Sequence, residues 1–459
     1  MTIAPLIPSE IANRATAAQI QGMLDHLGKV NPGNKTKGDY YEGDKLVAQS
    51  RVIPKEWVDT RQAAGWPGTV VDVLEERLDL LGWAGGDVAL TEAFTANDLA
   101  TESCLGHLDA LIYGLAFIAA DTDDPANPRV TVESPLSMTG TWDHQKRRLS
   151  QALLIARQTD SQPTEVVLFG EWENTRYVRE AGLWRAVDRS DHQMGRCPVV
   201  QLVNRPRASR QGGRSEITQS IRRYTDSAVK TLAAMEVNRD FYSFPQRWTT
   251  GADDDDFTDD TGADIPGWKT AMATHLVIGT NADGQQPSMG TFSVNPPTVY
   301  LDQIRGLAQM VAAEAGVPAH YMGFVADNPA SGDGIRAGEA RLVKRAERRQ
   351  GTFGRAWTEM ARIVATSLGK DTAGLSCTWR DPATPTRAAT ADEVMKLIST
   401  GILTADSSIA YDRIGLTPAE QTLLRDEKRS APTAGADLLA AALNRQRQTP
   451  SDGTDAPRA

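Results

Sequence analysis

Apolar residues recur at helical spacing in two long segments in the second half of the chain. In the first segment, residues 298–315, they repeat every three or four positions, which predicts an amphipathic helix. Gly316 and Pro318 end this helix, because glycine commonly follows the last helical residue and proline cannot continue it. After a polar loop up to Gly334, the same periodicity resumes at Ile335 and continues to Val364, which predicts a second, longer helix.

The same patterns predict further helices and strands in the rest of the chain. Helical periodicity marks residues 10–29 (ended by Asn31–Asn34), 70–81, 97–120 with an interruption near Gly114, 215–245, 391–399, 407–414, 417–428 and 438–445. Short apolar or alternating runs predict strands at 130–135, 166–169, 175–180, 183–187, 197–203, 272–278, 290–294 and 375–379. Residues 147–156 fit either a short helix or a strand. The chain is therefore expected to be an α+β protein.

The longer predicted helix has an unusual charge pattern. Its first half carries six basic residues, Arg336, Arg341, Lys344, Arg345, Arg348 and Arg349, against only Glu339 and Glu347. Several basic residues lie four positions apart, and each such like-charge pair costs a few tenths of a kcal/mol. The pattern therefore predicts that acid from outside the helix approaches Arg341, Lys344, Arg345 and Arg348. Carboxylates of another subunit are favoured over nucleic-acid phosphate because the chain is acidic; an arginine-rich solvated face is the alternative.

The motifs around these two helices resemble one known family. They are Gly-Val-Pro at 316–318, Asn-Pro-Ala-Ser-Gly at 328–332, Arg-Ala-Gly-Glu-Ala-Arg-Leu at 336–342 and Glu-Arg-Arg-Gln at 347–350. Earlier in the chain come Tyr40-Tyr41-Glu-Gly, His107 with Asp109-Ala-Leu111 and Gly114, Glu133-Ser-Pro135, and Ser215-Glu-Ile217 followed by Asp226. Together this ordered series resembles the portal protein, or head–tail connector, of tailed double-stranded DNA bacteriophages of the siphophage type.

The resemblance implies a division of the chain into the parts of a portal protomer. These are a mixed α/β wing at 1–206, a first stem helix at 207–245, a small β-containing clip at 246–297, a second stem helix at 298–318, a tunnel loop at 319–334, a long wing helix with a return strand at 335–386, a helical crown at 387–432 and a mostly disordered tail at 433–459.

The resemblance also implies a function. It implies a ring, of twelve copies as in the family, through which double-stranded DNA enters the capsid and leaves it, with the terminase large subunit supplying the force. The head-completion adaptor and the major capsid and scaffolding proteins are the other implied partners. The expected location is the portal vertex of the virion, and the host cytoplasm during assembly.

Two groups of residues receive roles from the resemblance. The tunnel loop, with Asp327, Asn328, Ser331, Gly332 and Asp333, is expected to face the DNA channel. The clip contains an aspartate-rich run, and its members Asp253, Asp254, Asp255 and Asp256 are expected to contact the packaging motor or the adaptor. The same run could be a calcium or magnesium site, but a loop of the EF-hand type needs a glycine at its sixth position, and that glycine is absent.

Composition, charge and cysteine spacing bear on which classes of protein remain possible. The formal net charge is −10, whereas a protein whose main task is to grip DNA is normally basic. The three cysteines, Cys104, Cys197 and Cys377, are far apart, so neither a disulfide framework nor a zinc site is expected. The first residues lack the pattern of a signal peptide, and the longest apolar run, 110–120, is shorter than the roughly 20 residues of a membrane span. That run is expected to be a buried helix. The protein as a whole is expected to be soluble and intracellular, without contact with a membrane.

The sequence shows no recognisable catalytic chemistry. A phosphate-binding Gly-x4-Gly-Lys-Ser/Thr loop, a Gly-x-Ser-x-Gly elbow and a His-Glu-x-x-His motif are all missing, and the six histidines are scattered. No catalytic residue, metal ligand or cofactor is therefore predicted. Two alternatives to the portal function stay open: a nucleic-acid-binding protein that uses the basic helix, and a metal-dependent nuclease that uses the aspartates.

Overall fold

The computed structural model of the chain describes residues 10–45, 64–160, 162–210, 212–243, 247–251, 258, 261, 263, 280, 284–293, 296–323, 332–383, 387–416 and 418–430. The chain divides into two compact units, Met1–Pro382 and Ala383–Ala459. Both helices and strands are present, which confirms the α+β class.

The described part contains ten α-helices and thirteen strands. The helices are α1 (Arg14–Glu42), α2 (Trp66–Glu75), α3 (Val88–Ala96), α4 (Leu99–Tyr113), α5 (Gln219–Ser243), α6 (Thr298–Ala315), α7 (Gly332–Ser367), α8 (Arg387–Ser399), α9 (Ser408–Ile414) and α10 (Pro418–Ser430). The strands are β1 (Glu10–Ile11), β2 (Leu80–Ala84), β3 (Leu115–Asp121), β4 (Arg129–Glu133), β5 (Met138–Asp143), β6 (Arg148–Thr159), β7 (Gln162–Phe169), β8 (Glu173–Glu180), β9 (Leu183–Asp191), β10 (Val199–Val203), β11 (Arg247–Thr250), β12 (Ser288–Thr291) and β13 (Ser376–Trp379). Among the described helices, none is long and apolar enough to cross a membrane.

A six-stranded antiparallel sheet forms the outer part of the first unit. Its strand order is β1-β9-β8-β7-β6-β5, so five consecutive strands make a meander and β1 adds to its edge. A tight turn at Ala181–Gly182, between the strands predicted at 175–180 and 183–187, joins β8 to β9, and both residues have positive φ, as this two-residue turn requires. One face of the sheet packs against α1 through Ile20 and Met23, which gives the sheet its own small core.

A three-stranded sheet of order β10-β3-β4 lies at the centre of the first unit. Helices α2, α4, α6 and α7 contribute to the largest hydrophobic core together with β3. The biggest fully buried side chains of this core are Trp357 and Phe353 of α7. Both meet His107 of α4: Phe353 stacks on the imidazole at 5.1 Å, and the Trp357 indole donates a hydrogen bond to Nε2 at 3.0 Å.

His107 therefore has a structural position. It is fully buried, and burial lowers its pKa to about 3. The ring is neutral at physiological pH, and its acceptor nitrogen is occupied by the indole of Trp357. His107 thus packs in the main hydrophobic core with Phe353 and Trp357.

Two small antiparallel pairs complete the first unit. Strand β13, which follows α7, pairs with β2 and thus returns the chain to the α2–α3 region. Strands β11 and β12 pair with each other between the end of α5 and the start of α6.

The described part of the second unit contains α8, α9 and α10, three helices that the sequence predicted. Ser407 caps α9 by accepting a hydrogen bond from the Ile409 N–H, and Gly415 ends it in the left-handed conformation. The Gln421 side chain donates to the Asp412 carboxylate at 2.6 Å and so links α10 to α9.

In three of the elements that differ from the prediction, tertiary contacts outweigh local signals. Helix α1 continues through Pro32 to Glu42, although a break was predicted at Asn31–Asn34. Pro32 cannot donate the backbone hydrogen bond of a helical residue. The Asn31 side chain donates to the Leu136 carbonyl at 2.9 Å and the Lys37 side chain donates to the Tyr113 carbonyl at 2.7 Å, so contacts with distant segments hold this part of the helix.

The other two differences concern short apolar runs that fit a helix or a strand equally well. The predicted helix at 70–81 ends at Glu75, and its last residues form β2, which is paired with β13. The apolar run 110–120 is a helix only up to Tyr113; after Gly114, which is left-handed, it forms the buried central strand β3. The prediction of a buried helix over that whole run was wrong.

Some predicted elements lie outside the described residues. These are the strand at 272–278, the helix at 438–445 and most of the aspartate-rich run. The assignment of wing, stem, clip and crown to particular residue ranges stays a prediction.

The buried contact between Trp357 and His107 predicts a large loss of stability when the indole is removed. Trp357→Ala should lower the free energy of unfolding by about 3–5 kcal/mol, since it leaves a cavity and an unpaired imidazole nitrogen. Urea unfolding followed by circular dichroism measures this change. Arg355→Ala, an exposed position on the same helix, is the control and should change stability by less than about 0.5 kcal/mol. Equal stability of the two variants would contradict the assignment of Trp357 to the core.

Candidate functional site at the junction of the long helices

Glu216 lies at the point where the central sheet passes into helix α5. Its backbone N–H donates to the Leu111 carbonyl at 2.9 Å, and its carbonyl accepts from the Thr218 N–H at 2.8 Å. The side chain is only 1% exposed. A carboxylate this deeply buried needs charged or hydrogen-bonding partners to offset its loss of hydration.

Three guanidinium groups and one amide surround the Glu216 carboxylate. Arg345 and Arg349 of α7 each approach one oxygen at 2.6 Å. Arg205, just after β10, lies 3.4 Å from Oε2, and the Asn204 amide donates to Oε1 at 3.1 Å. The carboxylate therefore joins the segment between β10 and α5 to the middle of α7, whose two arginines lie 129 and 133 positions away from Glu216.

The chain reaches Glu216 through a close backbone crossing. Gly213 has a φ of 69°, and a Cβ atom at this position would lie 2.1 Å from the Gly114 carbonyl oxygen. Only glycine fits such a crossing without displacing backbone. Ser215 then donates to the Ile112 carbonyl and accepts from the Ile217 N–H.

The first stem helix begins later in the chain than the sequence predicted. Periodicity predicted a helix from residue 215, but the helix begins at Gln219. The Thr218 hydroxyl is the group that accepts the Ile221 N–H in the first turn. Ser215 instead anchors the incoming chain to the end of α4.

Charge balance keeps the cluster ionised. Burial by itself raises the pKa of Glu216, but the nearby guanidinium groups of Arg345, Arg349 and Arg205 outweigh it, and the pKa is lowered from its usual value. Burial lowers the pKa of Arg345, and the Glu216 charge opposes that shift. Since an arginine begins from a pKa above about 12, it stays protonated, and the cluster is an ion network rather than a proton-transfer site.

The basic residues of α7 thus have different environments. Arg345 was predicted to pair with a carboxylate of another subunit; the acid it meets comes from outside the helix but from the same chain, which corrects that prediction. Lys344 bonds to Glu347 at 2.5 Å, and Arg341 donates to the Ala313 carbonyl of α6 at 3.1 Å. Arg348 is exposed and has no ion pair within the described part of the chain. A contact of Arg341, Lys344 or Arg348 with another subunit or with phosphate stays a prediction.

A second buried cluster lies where α7 begins. Glu339 accepts a hydrogen bond from the Tyr321 hydroxyl at 2.7 Å and forms an ion pair with Arg77 at 3.3 Å. Burial and then the bond to Glu339 raise the pKa of Tyr321. Because Tyr321 precedes residues 324–331 and Glu339 follows them, this cluster fixes both ends of the predicted tunnel loop.

Most of the predicted channel and clip residues are outside the part of the chain that is described. This applies to Asp327, Asn328 and Ser331 and to Asp253, Asp254, Asp255 and Asp256. Gly332 and Asp333 were predicted to belong to the loop but lie in the first turn of α7.

The Glu216 cluster predicts a pH-dependent loss of stability. Glu216→Gln should lower the free energy of unfolding by about 3–5 kcal/mol near neutral pH, because it leaves buried guanidinium groups unpaired. The folded pKa of Glu216 is lowered, so its contribution is complete above the unfolded pKa of about 4.3 and is lost as pH falls through the folded pKa. The difference between the two proteins should therefore shrink below about pH 4.

Chemical unfolding at a series of pH values measures this difference. The matched control is Glu180→Gln, which removes an exposed carboxylate paired with Arg185 at 3.2 Å and should cost at most about 1 kcal/mol. A Glu216→Gln effect that is as small as the control, or constant with pH, would contradict a buried ionised carboxylate.

Comparison with known proteins agrees with the resemblance seen in the sequence. Residues 32–413 match the profile of the family described as phage portal protein, SPP1 Gp6-like. The portal protein of Mycobacterium phage L5 is 31% identical over 421 residues, which cover 86% of this chain and 85% of the relative. The portal protein of Mycobacterium phage D29 is 30% identical over 451 residues, covering 93% and 91%.

Among solved structures, the neck of an empty gene transfer agent particle is similar with a TM-score of 0.42 and 14% identity, over 81% of this chain and 97% of that one. A likeness this distant adds nothing to the assignment. The family profile spans most of the chain, and both phage relatives cover more than four fifths of it. The chain therefore belongs to the SPP1 Gp6-like family of phage portal proteins.

Proposed function

We propose that this chain is one subunit of a ring, of twelve copies, that surrounds the DNA channel at one vertex of the capsid. The observation that carries the proposal is the family match over residues 32–413. In this role the subunit is structural. A separate terminase hydrolyses ATP, and the chain contributes no catalytic residue of its own.

The arrangement of α5 and α6 supports a stem. The two helices pack against each other, and the Thr218 hydroxyl at the start of α5 bonds to Glu314 near the end of α6 at 3.3 Å. The chain between them carries the small β11–β12 sheet. A long helix pair with a small sheet at one end fits a rod-like stem that ends in a clip.

The β11–β12 region also supports a docking role for the clip. Trp248, Met289 and Phe292 are exposed to between 38% and 58% on or beside these strands. Because Trp248 pairs with Gly290 and Met289 pairs with Thr249, Trp248 and Met289 lie on opposite faces of this small sheet. Exposed apolar side chains are a feature of interaction surfaces. The clip, together with Asp253–Asp256, is thus the proposed contact for terminase during packaging and for the head-completion adaptor afterwards.

The Glu216 cluster disfavours the alternative of a simple nucleic-acid-binding protein. That alternative required the basic side chains of α7 to face phosphate. Arg345 and Arg349 are instead buried against a carboxylate, which leaves fewer cations of the first half of α7 for DNA. The major capsid and scaffolding proteins are the remaining proposed partners, first in the host cytoplasm and then in the virion.

Electron microscopy of the purified full-length protein tests the ring. We expect negatively stained particles with a central hole, and averages with twelvefold symmetry. A population that stays monomeric at all concentrations, as measured by sedimentation velocity, would contradict the proposal. Strong salt-dependent duplex binding by such a monomer would instead support the nucleic-acid-binding alternative.

The tunnel loop gives a second prediction. Residues 323–334 contain no lysine or arginine, which suits a loop past which DNA must slide, because each cation that neutralises a phosphate adds salt-dependent affinity. Asn328→Lys with Ser331→Lys should leave ring assembly unchanged but slow DNA packaging, most strongly at low salt.

The rate of DNA packaging at two salt concentrations measures this effect. Asn328→Gln with Ser331→Thr, which adds no charge, is the control. Normal packaging by assembled lysine-variant rings at low salt would rule out close contact between the loop and DNA.

A further inference from the structure

A basic groove runs along the outer side of α7. It encloses about 970 Å³ between the middle of α7, strand β10 and the turn between β5 and β6. The basic side chains that line it are Lys146, Arg147, Arg148, Arg196, Arg355 and Arg362, whereas only Glu347 and Glu359 among its lining residues are acidic. We call this the basic groove.

Lys146 forms an ion pair with Glu171, which does not line the groove, but the two carboxylates within the basic groove do not balance its other five cations. Glu359 is shared by Arg196 at 2.7 Å and Arg362 at 2.9 Å. Arg147 and Arg355 are exposed and have no ion pair among the described residues. The groove also contains Trp142 and Trp379, and arginine beside aromatic side chains is a combination enriched at protein interfaces.

A groove of opposite charge borders the same central sheet. It encloses about 600 Å³ between α3, α4 and β4, and its charged lining residues are Glu92, Asp98, Glu102 and Arg129. We call this the acidic groove. The strand order is β10-β3-β4; β10 borders the basic groove and β4 borders the acidic groove. The two grooves therefore lie at opposite edges of one three-stranded sheet.

We propose that the acidic groove of one subunit docks against the basic groove of the next. Two complementary surfaces at opposite edges make a head-to-tail contact, and such a contact closes into a ring when the rotation between copies is right. The chain as a whole is acidic, so copies repel each other at long range; a local pairing of opposite charge gives the contact its register and its specificity. The inference rests on the proposed ring and identifies the surfaces that hold it together.

The test uses two charge-reversed forms of the full-length chain. One carries Arg147→Glu and Arg355→Glu in the basic groove. The other carries Glu92→Lys and Glu102→Lys in the acidic groove. In each form alone, neighbouring copies would present like charges, so the protein concentration at which half of the chains are in rings should rise at least about tenfold, measured by sedimentation velocity.

The decisive step is to mix the two forms. Each altered groove then finds a groove of opposite charge on the other form, so alternating rings should assemble at a concentration within about twofold of the unaltered protein. Arg157→Glu with Arg189→Glu makes the same charge change on the six-stranded sheet and should assemble normally. Circular dichroism checks that every form is folded. If a double variant does not fold, the single variant Arg355→Glu or Glu92→Lys is used in its place.

Different outcomes test the proposed ring and the proposed contact between the grooves. Unaltered protein that forms no rings would overturn the proposed function itself. If unaltered protein forms rings but either reversed form assembles equally well, or the folded mixture fails to assemble, the contact between the grooves is wrong. Normal assembly of the basic-groove variant with loss of salt-dependent DNA binding would show that this groove faces phosphate and would likewise overturn the proposal.

Discussion

The buried Glu216 carboxylate is the interaction on which the arrangement of the first unit depends. It bonds to Arg345 and Arg349 of α7 and to Arg205 and Asn204 after β10. A buried ion network of this kind adds little net stability compared with apolar packing, but removal of one partner is very costly. Its main physical effect is therefore positional: it permits only one placement of α7 against the sheet and the start of α5.

Helix α7 is the element that carries this constraint to the rest of the molecule. Near its start, Glu339 joins it to Tyr321 and Arg77, and in its second half Trp357 bonds to His107 in the main core. Beyond its end, β13 pairs with β2. Since α7 is fixed at several points along its length, the short segment between α6 and α7 is held between two rigid ends.

The basic side chains of α7 fall into two groups, one buried and one exposed. Arg345 and Arg349 face inward and are neutralised within the chain, whereas Arg348 and Arg355 are exposed and lack ion pairs in the described part of the protein. The inward pair fixes the position of α7 against the start of α5. The outward side chains are available to a partner, and the acidic groove at the far edge of the central sheet offers complementary charge on a second copy. For a chain with a net charge of −10, such local complementarity is what allows close association.

The sequence by itself determined the family, the α+β class and most helices with clear periodicity or caps, such as α6 with Gly316 and α9 with Ser407 and Gly415. It also determined the meander around Ala181–Gly182, because alternation and turn residues are local signals. Tertiary structure decided the rest. Whether residues 115–120 became strand or helix depended on pairing with β10 and β4, and α1 passed Pro32 because distant groups hold that turn.

Glu216 shows most clearly that the sequence pattern does not predict contacts between distant residues. Its partners Arg345 and Arg349 lie 129 and 133 positions away, and periodicity along the chain carries no information about contacts at that distance. The charge pattern of α7 indicated only that acid was needed from outside the helix. Only the fold, which brings the start of α5 beside α7, determined that the acid belongs to the same chain.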